Sequence, residues 1–216
     1  MDQSILRITE IFYSLQGESS AVGLPTVFVR LTGCPLRCHY CDTEYAFYGG
    51  ERQSVTAVIE RVASFKAVQV CVTGGEPLAQ KACLPLMKEL CDQGYQVSLE
   101  TSGALSVAEV DPRVVKVLDL KTPASGEVSR NIYENMVYLQ SSDQVKFVIC
   151  DRQDYEWARL KIDELKLADK VENILFSPSA GQQNATELAE WILADHLQVR
   201  FQLQLHKILW NDEPGH

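Results

Sequence analysis

The sequence predicts an α/β protein whose mainly parallel sheet is wound into a partial barrel of the (β/α)6 type, with abbreviated helices. Three observations predict it. Short β-rich runs alternate with helical periods from residue 26 onward. About six or seven such strands are too few for a closed eight-stranded barrel of about 250 residues, so an open or partial barrel suits a chain of 216 better. The residues best suited to chemistry follow the strands: Cys34 after the first, Gly74 and Gly75 after the second, residues 100–103 after the third, and Asp119, Leu120 and Lys121 at the fourth. Ligands of parallel sheets gather at those carboxyl ends.

TVFVRL (26–31) is a strand feeding a cysteine-rich loop, and SVTAVIERVASF (54–65) is a helix with Ser54 as its N-cap. VQVCVTGG (68–75) is a strand ending in glycines. AQKACLPLMKELCDQG (79–94) is a helix closed by Gly94, with a kink expected at Pro85. YQVSLETSG (95–103) and VVKVLDLK (114–121) are strands, and NIYENMVYLQ (131–140) reads as a helix. The strand QVKFVI (144–149) precedes the helix RQDYEWARLKIDELKL (152–167). ENILFSPS (172–179) is a strand, NATELAEWILADH (184–196) a helix and VRFQLQL (199–205) a last strand. Val-, Ile- and Leu-rich strands alternating with helices imply right-handed βαβ units. With no long Pro/Gly/Ser linker and no internal repeat, residues 1–216 are expected to form a single domain.

Composition narrows the function. With 46% hydrophobic and 23% charged residues the chain is an ordinary globular one, and no apolar run reaches the roughly eighteen residues a membrane span needs. The start, MDQSILRITEIF, lacks the basic and apolar regions of a signal peptide, so a cytoplasmic location is expected. Twenty Lys and Arg against 29 Asp and Glu, with no basic run, argue against direct contact with nucleic acid. The seven cysteines are unevenly placed, and without a secretion signal metal or redox use is the better reading than disulfides. Cys71, Cys83, Cys91 and Cys150 stand alone among apolar neighbours and read as buried structural thiols.

The remaining three define the chemistry. GCPLRCHYCDT places Cys34, Cys38 and Cys41 within eight residues. Structural zinc prefers four ligands in two separated pairs, and His39, which could in principle supply a fourth, would strain the chelate by directly following Cys38. An iron–sulfur cube takes one thiolate per corner, so three cysteines leave one iron open to a small molecule. The spacing favours the open cluster over a zinc module.

CxxxCxxC with Tyr40 before its last cysteine, together with TGGEP (73–77), resembles the radical S-adenosylmethionine (radical SAM) superfamily. That resemblance implies a [4Fe-4S] cluster whose open iron chelates S-adenosylmethionine and whose electron cleaves the sulfonium to a 5′-deoxyadenosyl radical. More specifically, LQGE (15–18), GLP (23–25), FVRL (28–31) before GCP, then CDT, ETSG, DLKTPASGE and QLHK resemble the 7-carboxy-7-deazaguanine synthase family from residue 10 to about residue 207. The family contracts the ring of 6-carboxy-5,6,7,8-tetrahydropterin with loss of ammonia, on the way to queuosine in tRNA. An activase that installs a glycyl radical on a partner protein would share the triplet and TGGEP, but would not be expected to keep LQGE joined to GxPxxFxRLxGC.

The resemblance assigns roles residue by residue. Cys34, Cys38 and Cys41 would ligate the cluster in the loop 33–43, and Thr43 would bind Mg²⁺ alongside substrate and water. Tyr40, Cys41 and Asp42 would meet S-adenosylmethionine, with Gly75, Ser102, Asp119, Leu120 and Lys121 completing its pocket. Leu15, Gln16 and Gly17 would contact the pterin within an N-terminal substrate-binding segment of about 10–31. Arg30 would pair with the substrate carboxylate. Thr73, Glu100, Ser177 and His206 match further substrate contacts; Glu100 offers acceptors to the donor edge of a 2-aminopyrimidinone. A homodimer is also implied, and the need for a low-potential electron points to a flavodoxin or ferredoxin as donor. The chain departs from many family members at Ser19, where glycine is frequent, at Asp119-Leu120 in place of Ser-Pro, and in the tail LWNDEPGH.

Overall fold

The computed structural model describes residues 4–211, 213 and 215. Among them nine strands form one sheet: β1 (Ile5–Leu15), β2 (Pro25–Leu31), β3 (Glu51–Ser54), β4 (Gln69–Gly74), β5 (Gln96–Thr101), β6 (Val115–Asp119), β7 (Gln144–Ile149), β8 (Asn173–Pro178) and β9 (Arg200–Phe201). The spatial order is β3-β1-β2-β4-β5-β6-β7-β8-β9. From β2 to β9 all neighbours run parallel, while β1 is antiparallel to both β2 and β3. The sheet is open, with β3 and β9 as its edges.

Helices α1 (Val55–Ser64), α2 (Cys83–Asp92), α3 (Arg152–Glu164) and α4 (Ala185–Ala194) follow β3, β4, β7 and β8, and α5 (Leu205–Trp210) follows β9. Ser54 caps α1 as expected, accepting from the Ala57 amide at 3.1 Å. The β5–β6 connection carries no helix, and the β6–β7 connection is three short 3-10 turns. The helical layer is thus abbreviated around β5 and β6.

Period-2 alternation divides every parallel strand between two environments. Val29 and Leu31 of β2, Val70 and Val72 of β4, Leu99 of β5, Leu118 of β6, Phe147 of β7 and Phe176 of β8 pack into the core with Val62, Leu86, Tyr155 and Leu188 of the helices. The residues between them, among them Arg30, Thr73, Glu100, Asp119, Lys146 and Ser177, line a cavity on the other face. Glu18, in the β1–β2 loop, nevertheless pairs with Lys146 of β7. In a flat sheet β2 and β7 would lie roughly 19 Å apart at the usual strand spacing. The sheet is therefore curled into an incomplete barrel, with the loop 16–20 reaching across its interior.

Several elements differ from expectation. β1 and β3 are additional strands that complete the sheet on its antiparallel side. Helix α2 starts at Cys83 rather than at residue 79, because Glu76 caps a separate 3-10 turn (Pro77–Ala79) and Gln80 turns aside to bond the main chain of Arg7 and Thr32. Pro85 therefore falls in the first turn, where an amide donor is not needed, and kinks nothing. The expected helix at 131–140 is the 3-10 segment Tyr133–Tyr138, because the Asn135 side chain bonds Val107, Gly103 and Leu105 and ties the segment to the neighbouring crossover. The last strand keeps only two residues before Gln202 commits its side-chain amide to Ser19 and the chain turns into α5. Part of the tail LWNDEPGH, residues 212, 214 and 216, lies outside the described residues. Among those described, no helix is long and apolar enough to cross a membrane.

At the amino ends of β6 and β7, Lys116 and Asp143 form an almost fully buried pair at 2.8 Å, with the Asp143 carboxylate also accepting the amides of Lys116 and Gln140. Truncating one partner strands the other charge, so Asp143→Ala is expected to cost about 3–5 kcal/mol in a urea unfolding titration. A loss below about 1 kcal/mol would show that the pair is not what fixes this end of the sheet.

Candidate functional site

The loop after β2 carries the three cysteines and has little regular structure of its own, so its neighbours hold it. Gly33 donates to the Ala46 carbonyl at 2.7 Å and its carbonyl accepts the Glu76 amide at 2.8 Å. His39 donates its amide to Ser125 at 3.0 Å, and the Arg37 amide reaches the Glu127 carboxylate at 2.6 Å. The segment carrying these acceptors is fixed in turn by buried Asp154 of α3, which accepts from the Thr122 hydroxyl and the Ala124 amide at 2.9 Å each. Cluster loop, post-β6 turn and α3 form one chain of support.

Cys34, Cys38 and Cys41 are free, part-exposed thiols that line one cavity. Burial pushes all three up, Cys38 to about 11, while the Lys121 ammonium opposes this at each. His39 is not their partner: its Nδ1 lies 3.2 Å from the Ala124 carbonyl and its ring packs against Gly126. Among the described residues no three His, Cys, Asp or Glu side chains converge on a single-ion position. Three soft donors spread along one loop suit the corners of a cube and leave one corner open.

The glycines that end β4 are sterically required. Gly74 has φ +143°, and a Cβ there would come within 2.6 Å of the Leu31 amide nitrogen; one on Gly75 would meet the Cys34 Cβ at 2.8 Å. Only Gly-Gly lets this strand end approach the cysteine loop so closely. Glu76, with no exposed surface, then binds across to β5, accepting from Thr101 Oγ1 at 3.0 Å, the Ser102 amide at 2.8 Å and Ser102 Oγ at 2.5 Å. Ser102 reaches the cavity with its hydroxyl proton already donated.

The cavity measures about 680 Å³, within the roughly 300–1,000 Å³ usual for small-molecule sites. Arg30 and Thr73 are direct neighbours across β2 and β4, and Asp119 and Lys146 across β6 and β7. Arg30 uses Nε on Glu10 at 2.7 Å, and Tyr45 donates to the same carboxylate oxygen at 2.9 Å. Its terminal nitrogens make no hydrogen bond to a described residue. Glu100 takes Thr73 Oγ1 at 3.0 Å on one oxygen and Gln16 Nε2 at 3.4 Å on the other. Burial, and next the Glu18 charge, raise its proton affinity, against Lys146 and Thr73.

The β1–β2 loop and α5 close the cavity together. The Leu205 amide donates to the Gly17 carbonyl at 3.0 Å, and His206 packs so tightly on Gly17 that a side chain there would collide with its ring. Burial disfavours the Asp42 charge, but Lys207, Gln204 and Thr43 more than offset this and hold the carboxyl well below the usual range. Among the described residues, Glu18 Oε1, Tyr40 OH, Asp119 Oδ1 and Ser177 Oγ are buried without a hydrogen-bond partner, and all four residues line this cavity. Unpartnered buried polar atoms are rare in folded proteins. Their convergence here marks a surface shaped for polar ligands.

All but one of the residues singled out in the sequence line the cavity: the three cysteines, Tyr40, Asp42, Thr43, Gly75, Ser102, Asp119, Lys121, Leu15, Gln16, Gly17, Arg30, Thr73, Glu100, Ser177 and His206. Leu120 does not. Alternation turns its side chain into the core, and its amide is taken by the Lys146 carbonyl at 2.9 Å. Sequence reasoning missed Lys146, Glu10, Tyr45 and the supports Asp154 and Glu127. Lys146 had a signal: a single charge inside the apolar strand QVKFVI must find a partner when buried.

Residues 28–119 match the model of the Radical SAM superfamily. The chain is 44% identical to the 7-carboxy-7-deazaguanine synthase of Koribacter versatilis over 96% of this chain and 98% of that one. It is also 44% identical to the enzyme of that name from Chlorobaculum tepidum, over 96% of each. Among solved structures, QueE from Escherichia coli superposes with a TM-score of 0.75 at 26% identity, covering 94% of this chain and 95% of that one.

A methyl group on Gly75 has nowhere to go without displacing Cys34. Gly75→Ala is therefore expected to take up several-fold less iron and sulfide on anaerobic reconstitution while its far-ultraviolet circular dichroism is unchanged. Full loading would mean the close approach is not needed to seat the cysteine loop.

Proposed function

This chain belongs to the 7-carboxy-7-deazaguanine synthase family of radical S-adenosylmethionine enzymes, and we propose that it contracts 6-carboxy-5,6,7,8-tetrahydropterin to 7-carboxy-7-deazaguanine, releasing ammonia, in queuosine (7-deazapurine) biosynthesis. The observation that carries the reading is that the cysteine loop and the polar interior of the barrel, with Arg30 and Glu100, line a single cavity. One face of it suits a cluster and its chelated cofactor; the other suits a small polar acid.

A cluster held by the three cysteines, with S-adenosylmethionine beside it, would supply reductive cleavage of a sulfonium and so the radical chemistry that the ring contraction needs. Cys34, Cys38 and Cys41 hold the cluster, and Lys121 offsets part of the negative charge of three thiolates. Tyr40, Asp42, Gly75, Ser102, Asp119 and Lys121 hold S-adenosylmethionine. Leu120 contributes only by placing its two neighbours, since its side chain is in the core.

The chain's other residues orient the substrate. Glu10 and Tyr45 anchor the near side of the Arg30 guanidinium, leaving its two terminal nitrogens for an end-on grip on the pterin carboxylate. Thr73 and Gln16 fix the Glu100 carboxylate so that its remaining lone pairs face the donor edge of the ring. Leu15, Gly17, Ser177 and His206 complete the substrate surface, and Thr43, whose hydroxyl proton is donated to Asp42, would offer its oxygen to Mg²⁺. The β1–β2 loop and α5 limit water entry, which a radical reaction requires. We place the protein in the cytoplasm as a single-domain homodimer that takes its electron from a flavodoxin or ferredoxin.

Anaerobically reconstituted protein given carboxytetrahydropterin, S-adenosylmethionine and a reductant is expected to release 5′-deoxyadenosine and 7-carboxy-7-deazaguanine; neither product would refute the reading. Arg30→Ala should raise KM for the pterin about ten- to a hundredfold, the loss expected of charge-assisted hydrogen bonds, while cluster content is retained. Loss of the cluster instead would give Arg30 a structural role.

A further inference from the structure

Lys146 and Glu18 form an ion pair inside the cavity that none of the roles above uses. The Lys146 ammonium bonds one oxygen of Glu18; the other, Oε1, is buried and has no partner among the described residues. The loop that presents Glu18 is locked in place. Ser19 exchanges two hydrogen bonds of 2.7 Å with the Gln202 side chain, and Ser20 exchanges two of 2.8 Å with Gln144. Glu18 cannot relax toward solvent to satisfy its second oxygen without breaking this anchorage. Burial disfavours the Lys146 charge, but Glu18, Asp119 and Glu100 outweigh it and raise its proton affinity, so the ammonium is held as a charged donor. The cavity thus presents a cation and, directly beside it, a carboxylate oxygen in need of a donor.

A reduced pterin ring fits this arrangement along either of its long edges. In the tetrahydro form one edge carries the acceptor N1 beside the donor N8–H, and the other carries the acceptor O4 beside the donor N5–H. Oxidation to the aromatic pterin removes both hydrogens, leaving two acceptors on each edge. The ammonium would still be matched, but the carboxylate oxygen would then face a ring lone pair. A buried acceptor deprived of its donor discriminates strongly between such analogues.

Resting on the substrate class assigned above, we propose that Glu18, held by Lys146, selects the reduced over the oxidised ring of the carboxypterin, its unpartnered Oε1 accepting a ring N–H that oxidation abolishes. Glu18 is a specificity-determining residue, and Lys146 positions it.

Equilibrium binding tests this, using reconstituted full-length protein with S-adenosylmethionine and no reductant, so that nothing turns over. The unaltered chain is expected to bind 6-carboxytetrahydropterin at least tenfold more tightly than 6-carboxypterin. Glu18→Gln, whose amide can turn an N–H toward the oxidised ring, should lose most of that preference. The double variant Glu18→Gln, Lys146→Met, which removes the stranded ammonium, should lose it as well. Equal binding of both pterins by the unaltered chain, or an undiminished preference in either variant, overturns the inference. If the unaltered chain still turns over the reduced pterin, only this inference falls. If it makes no deazaguanine, the substrate assignment falls with it.

Discussion

The site depends on one buried carboxylate. Glu76 has no exposed surface, and a charge in that position is tolerable only if every lone pair is used. Its acceptors are filled from the Leu78 amide on its own side and from Thr101 and Ser102 across the sheet, while its own amide holds the Gly33 carbonyl. The ends of β2, β4 and β5 are thereby fastened at one joint. Gly74 and Gly75 permit the approach, and Glu76 makes it permanent. Without that joint the cysteine loop, whose internal hydrogen bonds are short-range, would lose its anchor to the strand ends.

The other end of the cavity is closed by elements distant in sequence. The loop after β1 reaches Gln144 of β7, Lys146 of β7 and Gln202 beyond β9. It thereby bridges the opening that an incomplete barrel leaves between its first and last strands. Ser19 has φ +66°, a left-handed conformation in which glycine is at ease and serine is not. The pair of bonds to Gln202 offsets the strain, so the departure from glycine at this position costs the loop little shape.

Between these two closures the barrel interior is densely charged. Glu18, Glu100 and Asp119 face Lys146, Asp119 also pairs with Lys121 at 3.0 Å, and Arg30 leans on Glu10. Such groups are retained at a cost in stability, since each partner must be desolvated. The unpartnered atoms on Glu18, Tyr40, Asp119 and Ser177 are what a polar ligand would satisfy. Stability and binding are therefore in tension here, and the rigid support from Asp154, Gln202 and Glu76 keeps the interior open against that tension.

The amino-acid sequence by itself determined the strand–helix alternation, the caps at Ser54 and Gly94, the cysteine triplet and a set of site residues all but one of which line the cavity. These are legible because they depend on local periodicity and on residue types whose chemistry is specific to short spacings. It did not disclose the antiparallel β1 and β3, the 3-10 path of Tyr133–Tyr138, or the shortness of β9. There side chains such as Asn135 and Gln202 bond partners far along the chain and override local preference. Only the tertiary structure decided which way each side chain faces: Leu120 goes to the core, while Lys146 goes to the cavity and to Glu18, 128 residues away. That pairing exists because the sheet curls, and curl is a property of all the strands together.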